Sequence, residues 1–372
     1  MRERNCREVS VGIVTAEAIE LDEGTVTYRD GKICWDGKCY DQLDFTPLLH
    51  HKGRFTIHNV TIGKQFHWQR QRQQTFSGRL HFIVEGKAIT AVNTLPIEDY
   101  LVSVISSEMR ATSSLEFLKA HAIIARSWLL AQRQLPQPPH EHYDVCADDH
   151  CQRYQGTTMA TNPHVMQAVD ETRGMVLTCD GNICDTRYSK CCGGRTELFA
   201  TCWDEHQPHP YLQSVACPYC NTTDRHILQQ VLNDYDQETN DFYSWHVNLT
   251  HAELDELVQR KSGLNLGHIT DLVPLSRGIS GRISQLRIVG TEGETIVGKE
   301  LAIRKTLSPT HLYSSAFDIE RTATGITLNG RGWGHGVGLC QIGAAVMGEQ
   351  GANHTAILQH YYKNTTLTQL YE

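Results

Sequence analysis

The sequence of 372 residues contains no apolar run near the roughly 20 residues that a helix needs to cross a bilayer. Its first residues, MRERNCREVSVGIV, also lack the apolar core of a signal peptide. We therefore expect no transmembrane segment in the chain shown. The protein is expected either to stay in the cytoplasm or to have had an export signal removed from the sequence given.

Basic charge is scarce as well, with 34 lysines and arginines against 42 aspartates and glutamates and a formal net charge of -8. This balance argues against a general nucleic-acid binder, because such proteins need a basic excess to neutralise phosphates. The one locally basic stretch, HWQRQRQQ at residues 67–74, is typical of a solvated edge or loop. An apolar content of 40% suits a packed core.

Cysteine, in contrast, is abundant: there are 13, and the odd number leaves at least one unpaired if the others form disulfides. In CWDGKC, the Asp-Gly dipeptide predicts a two-residue hairpin turn that places Cys34 opposite Cys39. In CDGNIC, the Gly-Asn dipeptide is read as the turn and places Cys179 opposite Cys184. Both pairs are therefore disulfide candidates, and reduced cysteines packed side by side fit the same spacing until the compartment is known.

Short β-strands are predicted for most of the chain up to about residue 95. The segments EVSVGIV, GTVTYRD, GRFTIHNVTI, GRLHFIVEG and AITAVN alternate in polarity or are rich in β-branched and aromatic residues. Beyond them, helical and strand-like segments are mixed without a regular βαβ alternation. This pattern predicts an α+β fold, with a smaller β-rich part at residues 1–94 and an α+β part, carrying the helix of the candidate cleft, at residues 95–372.

Further helices and strands are predicted by their end signals. TNPHVMQAVDETRG has an Asn162 cap and a Gly174 stop, and residues 225–264 look helical, with a Thr250 cap and a Gly263 stop near their end. Strand-like segments follow at ISQLRIVG, TIVGKELAI and GITLNGRG. The chain then ends in two helical segments, QIGAAVMGEQG and HTAILQHYY.

A longer helix is predicted from a capping box, in which Ser113 is followed three residues later by Glu116. The helix should run from there to about Gln132, with an apolar stripe facing the core. Glu108 then lies before the helix, in the loop that enters it.

Three charged residues of this region raise a functional question. Lys119 and Arg126 are seven residues apart, two turns along one side of the helix and beside its buried stripe. Spacing alone favours an ordinary account, with two surface cations and with Glu108 as a carboxylate near a helix end. A catalytic acid at Glu108 needs support from elsewhere in the chain.

The segment GRGWGHGVGLCQIGA, residues 330–344, offers some of that support, with six glycines around one histidine and one glutamine. Such glycine density indicates a backbone that approaches itself or a ligand closely. A tight turn with an incidental histidine explains the segment equally well.

Two groups of cysteines could bind metal. HEHYDVCADDHCQRY offers two upstream histidines together with Cys146, His150 and Cys151, which is plausible zinc-ligand material although the spacing fits no standard finger. A Cys146–Cys151 disulfide is the alternative. A second group could form another zinc site, but disulfides are favoured there because no spacing rule demands metal: Cys191, Cys192, Cys202, Cys217 and Cys220.

Five blocks, in this order, resemble those of the stage II sporulation protein D family, which also includes amidase-enhancer proteins: LPIEDYLVSVISSEM, LEFLKAHAIIARSW, YSKCCGGRTE, SGRISQLRI and GHGVGLCQIGA. The resemblance spans about Val9 to Tyr362, as one continuous family domain. It implies a lytic transglycosylase that cleaves the bonds between N-acetylmuramic acid and N-acetylglucosamine in peptidoglycan. Glycan strands already stripped of stem peptides are the expected substrate, and 1,6-anhydro ends are the expected product.

The resemblance also implies roles for residues of this chain. Glu108 matches the family's catalytic acid. The substrate-binding residues implied by the matching blocks are Lys119, Arg126, Tyr188, Lys190, His335 and Gln341. Cys340 departs from the pattern, because the glycine-rich block usually has serine there, and this puts any hydroxyl role at that position in doubt.

One carboxyl group can suffice for this reaction because the substrate carries the nucleophile. Protonated Glu108 would give its proton to the glycosidic oxygen, and the carboxylate would then take the proton of the muramic 6-hydroxyl as the anhydro ring closes. The apolar neighbours in VSVI and Met109 would favour the protonated form. The cations Lys119, Arg126 and Lys190 would oppose it if too near, so they are assigned to the substrate's lactyl carboxylate and to packing.

The same resemblance implies a zinc ion, structural in role, held by Cys146, Cys151 and either His140 or His142. The implied partners are glycan strands and a cell-wall amidase, and the implied location is outside the cytoplasm, in the cell envelope or periplasm. Two other readings remain open: a non-catalytic enhancer of an N-acetylmuramoyl-L-alanine amidase, and a glycan-binding scaffold whose cysteine clusters are purely structural.

Overall fold

The computed structural model describes residues 7–50, 53–64, 69–110, 112–136, 138–148, 150–157, 162–204, 208–231 and 242–372. Helices and several separate sheets are interspersed along the chain, which confirms the α+β prediction. The chain divides into two compact units. Unit 1 comprises Met1–Ala111, His121–Val176 and Thr368–Glu372, and unit 2 comprises Thr112–Ala120 and Leu177–Leu367.

The described residues contain nine α-helices and a short 3-10 helix at Thr46–Leu48. The α-helices are α1 (Ile97–Glu108), α2 (Leu115–Gln132), α3 (Pro163–Glu171), α4 (Phe199–Cys202), α5 (Arg225–Val231), α6 (His251–Ser262), α7 (Glu300–Thr306), α8 (Gln341–Glu349) and α9 (His354–Tyr361).

The strands of the described residues are β1 (Glu8–Ala16), β2 (Ala18–Leu21), β3 (Gly24–Arg29), β4 (Lys32–Trp35), β5 (Lys38–Tyr40), β6 (Leu43–Asp44), β7 (Arg54–Ile62), β8 (Arg70–Ser77), β9 (Arg79–Glu85), β10 (Ala88–Pro96) and β11 (Val145–Cys146). They continue with β12 (Met175–Cys179), β13 (Asn182–Ile183), β14 (Tyr188–Ser189), β15 (Ser244–Thr250), β16 (Ile269–Arg277), β17 (Ile283–Gly290), β18 (Glu294–Val297), β19 (Phe317–Arg321), β20 (Gly325–Arg331), β21 (Leu339–Cys340) and β22 (Thr366–Gln369).

Unit 1 is built on two sheets whose strands follow the predicted N-terminal pattern. One sheet has the order β11-β1-β10-β9-β6, and the other has the order β5-β4-β3-β2-β7-β8. In β1, Val9 and Val11 are fully buried, as the alternation of the sequence requires. Residues 70–74 of the basic stretch form the first part of β8, at an edge of the second sheet. Residues 71–73 are exposed, in agreement with the solvated-edge interpretation.

Unit 2 packs the sheets β15-β20-β19 and β16-β17-β18 with helices α6 and α7 around one hydrophobic cluster. Helix α6 begins with the capping box of Thr250 and Glu253 and ends at Gly263, whose φ of 72° is left-handed, so both predicted end signals are confirmed. The prediction of helix throughout residues 225–264 is wrong, because β15 occupies residues 244–250. Its alternating Trp245 and Leu249 are buried in the cluster, and pairing with β20 overrides local preference.

The segment TIVGKELAI was predicted as a strand and is only partly one. Strand β18 ends at Val297, and Glu300 opens helix α7. The residues of α7 are mostly good helix formers, and Ile303 is buried in the hydrophobic cluster of unit 2.

The two cysteine hairpins differ in register. In CWDGKC, Asp36 and Gly37 form the turn and Cys34 pairs with Cys39 in a disulfide, as predicted. In CDGNIC, the turn is also Asp-Gly, not Gly-Asn, so Cys179 lies opposite Asn182. Cys179 and Cys184 are both free, and the predicted second disulfide is wrong because the turn lies one residue earlier.

Candidate active site

Glu108 is the last residue of helix α1, not part of a loop, which corrects the prediction. The β-branched residues of IEDYLVSVISSE favour a strand locally, but Val104 and Ile105 are fully buried on a helix whose residues are almost all packed into unit 1. Glu108 itself is half-buried, beside buried Ser107 and Met109. A helix C-terminus disfavours negative charge, so helix stability does not explain a carboxylate at this position.

Helix α2 ends at Gln132 as predicted, but its capping box does not form. The helix begins at Leu115, and Ser114 is the residue whose hydroxyl accepts the Phe117 N–H, at 3.4 Å. Ser113 instead donates its hydroxyl to the Gln230 carbonyl in unit 2, at 3.1 Å. The predicted start of α2 is one residue early. Two adjacent serines can cap the helix, and Ser114 does so because Ser113 makes a tertiary contact instead.

The carboxylate of Glu116 is committed to other partners in unit 2. It lies 2.9 Å from Lys119 Nζ and 2.7 Å from His354 Nδ1, and it accepts the His354 backbone N–H at the start of α9. Burial opposes ionisation here, but the hydrogen bonds from His354 and Lys119 lower the pKa of Glu116 to about 2. The predicted ligand Lys119 is therefore already engaged by an anion of the protein.

Arg126 lies in the interior of unit 1. Its side chain has no exposed surface. Its guanidinium forms a bidentate ion pair with Glu98, with Nε 3.0 Å from Oε1 and Nη2 2.5 Å from Oε2. Nη1 donates to the Met175 carbonyl at 3.0 Å, and Tyr371 donates its hydroxyl to Glu98 at 2.8 Å. This geometry gives Arg126 a packing role, because a ligand cannot reach a fully buried guanidinium.

Strand pairing in unit 2 brings three of the predicted substrate-binding residues together. Tyr188 on β14 lies opposite Leu339 on the parallel strand β21. The Lys190 carbonyl accepts the N–H of Ile342, and Lys190 Nζ donates to the Val231 carbonyl at 2.5 Å. Gln341, the first residue of α8, is buried directly after β21. The blocks YSK and GLCQIG, far apart in sequence, thus form one local structure.

His335 is a neutral imidazole held in place on both sides. Its Nδ1 accepts the Val337 N–H at 3.0 Å, and its ring packs edge-on against Trp203 with centroids 4.8 Å apart. Burial and the nearby Arg187, Arg282 and Arg304 guanidinium groups hold the pKa of His335 well below its usual range. The ring therefore shapes the turn of the glycine-rich segment and does not carry charge at neutral pH.

The HEHYDVCADDHCQRY segment of unit 1 gathers four possible metal ligands. The ligand atoms of His140, Cys146, His150 and Cys151 all lie within 4.8 Å of one another, and His140 Nε2 is 3.3 Å from Cys151 Sγ. Both cysteines are free, so the alternative disulfide does not form. These four residues are called the loop cluster. Of the two histidines left open by the sequence, His140 belongs to it and His142 does not, and His150 is an additional member.

Comparisons with known proteins place the chain in a family. A family model described as "Stage II sporulation protein" matches residues 85–179, and one described as a domain of unknown function matches residues 197–338. An uncharacterized protein of Brachyspira hyodysenteriae is 31% identical over 297 residues, 78% of this chain and 72% of that protein. Stage II sporulation protein D of Bacillus subtilis is 26% identical over 292 residues, 75% of this chain and 76% of that protein. The chain belongs to the stage II sporulation protein D family.

The resemblance carried by the five sequence blocks is therefore confirmed. This stage II sporulation protein D homologue is also similar to the amidase enhancer of Bacillus subtilis, with 26% identity over 298 residues, 72% of this chain and 40% of that protein. In the part of the homologue that the structure describes, no helix is both long and apolar enough to cross a membrane.

The second cysteine group of this family member differs from the predicted one, and the disulfides favoured there are wrong, because all of its cysteines are free. Cys192, Cys217 and Cys220 come together as expected, but the fourth sulfur is that of Cys340. Cys202 lies apart and donates to the His335 carbonyl at 3.5 Å. The presence of cysteine where the glycine-rich block usually has serine was the signal that could have identified Cys340 as a member.

Proposed function

We propose that the protein is a peptidoglycan lytic transglycosylase with Glu108 as its acid and base. The observation that carries the proposal is family membership together with a glutamate at the position of the family's catalytic acid. The location of Glu108 supports it, because a half-buried carboxyl group at a helix C-terminus is not accounted for by helix stability. The names of the relatives support a role at the cell wall.

In the proposed reaction, Glu108 donates a proton to the oxygen that links N-acetylmuramic acid to the next N-acetylglucosamine. The bond from the muramic C1 to that oxygen breaks, and the leaving sugar departs as an alcohol. The 6-hydroxyl of the same muramic residue attacks C1 and gives its proton to the Glu108 carboxylate. The 1,6-anhydro ring closes without water, and Glu108 regains its starting form.

Substrate contacts are proposed for residues that the family resemblance implies. Tyr188, Lys190 and Gln341 lie on paired segments, and Lys190 adds a cation suited to the lactyl carboxylate of muramic acid. Lys119, paired with Glu116, is proposed as a weaker contact. Arg126 is proposed only as a packing residue, because it is fully buried.

Zinc is the proposed occupant of the loop cluster, since two thiolates and two imidazoles are ligands that it accepts in a tetrahedral site. Bound there, zinc would fix the loop of residues 140–151, and no chemical step is assigned to it. The disulfide Cys34–Cys39 supports a location outside the cytoplasm, because such bonds persist in oxidising compartments.

The decisive experiment is digestion of denuded glycan strands, with products read by mass spectrometry. Wild type should yield 1,6-anhydromuramic ends, and Glu108→Gln should reduce their rate at least ~100-fold, as loss of a general acid and base does. Asp170→Asn, which removes an exposed carboxylate on α3, is the matched control and should retain wild-type activity. Full activity of Glu108→Gln would show that another group is the acid.

A second function is favoured by the similarity to an amidase enhancer. If wild type yields no anhydro product on any glycan, enhancement becomes the better account. Stimulation of an N-acetylmuramoyl-L-alanine amidase by wild type and by Glu108→Gln alike would then establish the non-catalytic role.

A further inference from the structure

Four cysteines of unit 2 converge on one point in its interior. Cys192, Cys217, Cys220 and Cys340 are each at most 1% exposed, and their Sγ atoms all lie within 4.8 Å of one another. Three separate segments supply them: the CCGG loop after β14, the CPYC loop, and the end of β21. All four are free thiols in the structure.

The distances fit one tetrahedral ion. With zinc–sulfur bonds of about 2.3 Å, the four sulfurs of a regular tetrahedron are about 3.8 Å apart. The Sγ atoms of Cys192 and Cys220 are 3.6 Å apart. An iron–sulfur cluster holds several irons and sulfides between its cysteine ligands and so needs them spread more widely. None of the four cysteines is paired in a disulfide.

Backbone N–H groups surround the sulfurs as they do in metal–thiolate sites. Gly194 donates to Cys220 Sγ at 3.2 Å, and Cys192 and Gly343 donate to Cys340 Sγ at 3.3 and 3.4 Å. Hydrogen bonds of this kind orient the ligands and offset the negative charge of thiolates. Cys340 is also the N-cap of α8, where the helix dipole favours an anion.

The backbone leaves room for this arrangement at Gly343. A Cβ added there would lie 2.6 Å from Cys217 Sγ and would also collide with the Tyr361 hydroxyl. That hydroxyl is 3.3 Å from Cys217 Sγ, which gives this sulfur a polar neighbour of its own. The first turn of α8 is therefore shaped around the sulfur group.

We propose that Cys192, Cys217, Cys220 and Cys340 form a second, structural zinc site, separate from the loop cluster at His140 and Cys146. Binding releases the thiol protons and leaves four thiolates on the ion. The site ties the segments that carry Lys190 and Gln341 to the CPYC loop. Metal binding at these cysteines does not depend on the transglycosylase activity proposed above.

The test is metal content per chain, measured by mass spectrometry on the full chain purified under reducing conditions and equilibrated with zinc. The variant Cys146→Ser/Cys151→Ser removes the loop cluster, and one equivalent of zinc should remain. Adding Cys217→Ser/Cys220→Ser should remove that equivalent. Cys202→Ser, a buried cysteine of the same unit outside the group, is the matched control and should keep it. Absence of zinc from Cys146→Ser/Cys151→Ser would overturn the proposal.

If a variant does not fold, the proposal can still be tested on the chain that keeps all four cysteines. In native protein the four thiols should resist alkylation until a chelator is added, and cobalt in place of zinc should give the absorption of a tetrahedral thiolate site. A disulfide among the four in native protein, or iron with labile sulfide in place of zinc, would contradict the proposal.

Discussion

The cysteines of the two units are used in opposite ways. In unit 1, Cys34 and Cys39 pair across one hairpin, and Cys146 and Cys151 lie in one half-exposed loop, so both pairs are local. In unit 2, sulfurs up to 148 residues apart meet in the interior. Local pairs restrain only the few residues between them, whereas distant ligands restrain the path of the whole chain that separates them. The comparison indicates that unit 2 depends on its cysteines far more than unit 1 does.

The largest expected effect comes from removing the distant group. Cys217→Ser/Cys220→Ser should lower the free energy of unfolding by on the order of 4–5 kcal/mol, because a buried metal site is lost. Cys146→Ser/Cys151→Ser should cost clearly less, since its loop is half-exposed. Urea denaturation of both variants in zinc-containing buffer measures the difference. Equal decreases in the free energy of unfolding of the two variants would contradict the proposed difference between local and distant cysteines.

Unit 1 is expected to depend instead on its buried ion pair. Arg126→Met should cost about 3–5 kcal/mol, because it leaves the Glu98 carboxylate buried without its cation. The double variant Glu98→Gln/Arg126→Met should regain part of that loss. Urea denaturation curves provide the measurement, and a single variant as stable as wild type would show that the pair does not anchor unit 1.

The disulfide of unit 1 has a smaller expected effect. Its cysteines are 5 residues apart, and closing so short a loop contributes about 2 kcal/mol. Cys34→Ala/Cys39→Ala should therefore lower the melting temperature modestly, by the same amount as reduction of the hairpin in wild type. Cys184 lies in the hairpin without a disulfide. Addition of an oxidant should therefore change the melting temperature of Cys184→Ala and of wild type by the same amount. A redox-dependent change at Cys184 would mean that the second hairpin can shift its register.

The smallest expected effect concerns Glu116, whose carboxylate stabilises unit 2 through hydrogen bonds and not through cysteines. Glu116→Gln should cost about 1 kcal/mol at pH 7, because hydrogen bonds to a carboxylate are weakened. The folded-state pKa is lowered to about 2 from an ordinary 4.5, so the contribution is complete above pH 4.5 and is lost as the pH falls toward 2. Unfolding curves of the variant and wild type from pH 7 to pH 2 should converge. A constant difference would show that the carboxylate charge is not the cause.

Sequence reasoning succeeded where the signals were local. The N-terminal strands, the Thr250 cap, the Gly263 stop and the Cys34–Cys39 hairpin are each specified within a few residues. Helix α3 likewise begins after an Asn162 side chain that accepts the His164 N–H, although it ends at Glu171, before the predicted stop.

Sequence reasoning failed where tertiary contacts decide between local alternatives. The capping signal of Ser113 and Glu116 marks only the start of the next helix, so the sequence predicts a loop at Glu108. Helix α1 contains β-branched residues, and burial of most of its residues makes the segment helical. In CDGNIC, both Asp-Gly and Gly-Asn are turn dipeptides. The turn forms at Asp-Gly, one residue earlier than predicted, so Cys184 does not lie opposite Cys179. The Cys340 contribution to the sulfur group could not be derived from spacing, because its partners lie far along the chain.

Strand β8 forms an edge of the six-stranded sheet among the described residues, and residues 71–73 on it are exposed. Exposed edges are where copies of a protein join strand to strand and aggregate. Arg70 and Arg72 put two cations on this edge, so an approaching copy would bring like charges together. The basic stretch, which the sequence predicts to be a solvated edge, therefore carries charges that disfavour strand-to-strand pairing with another copy.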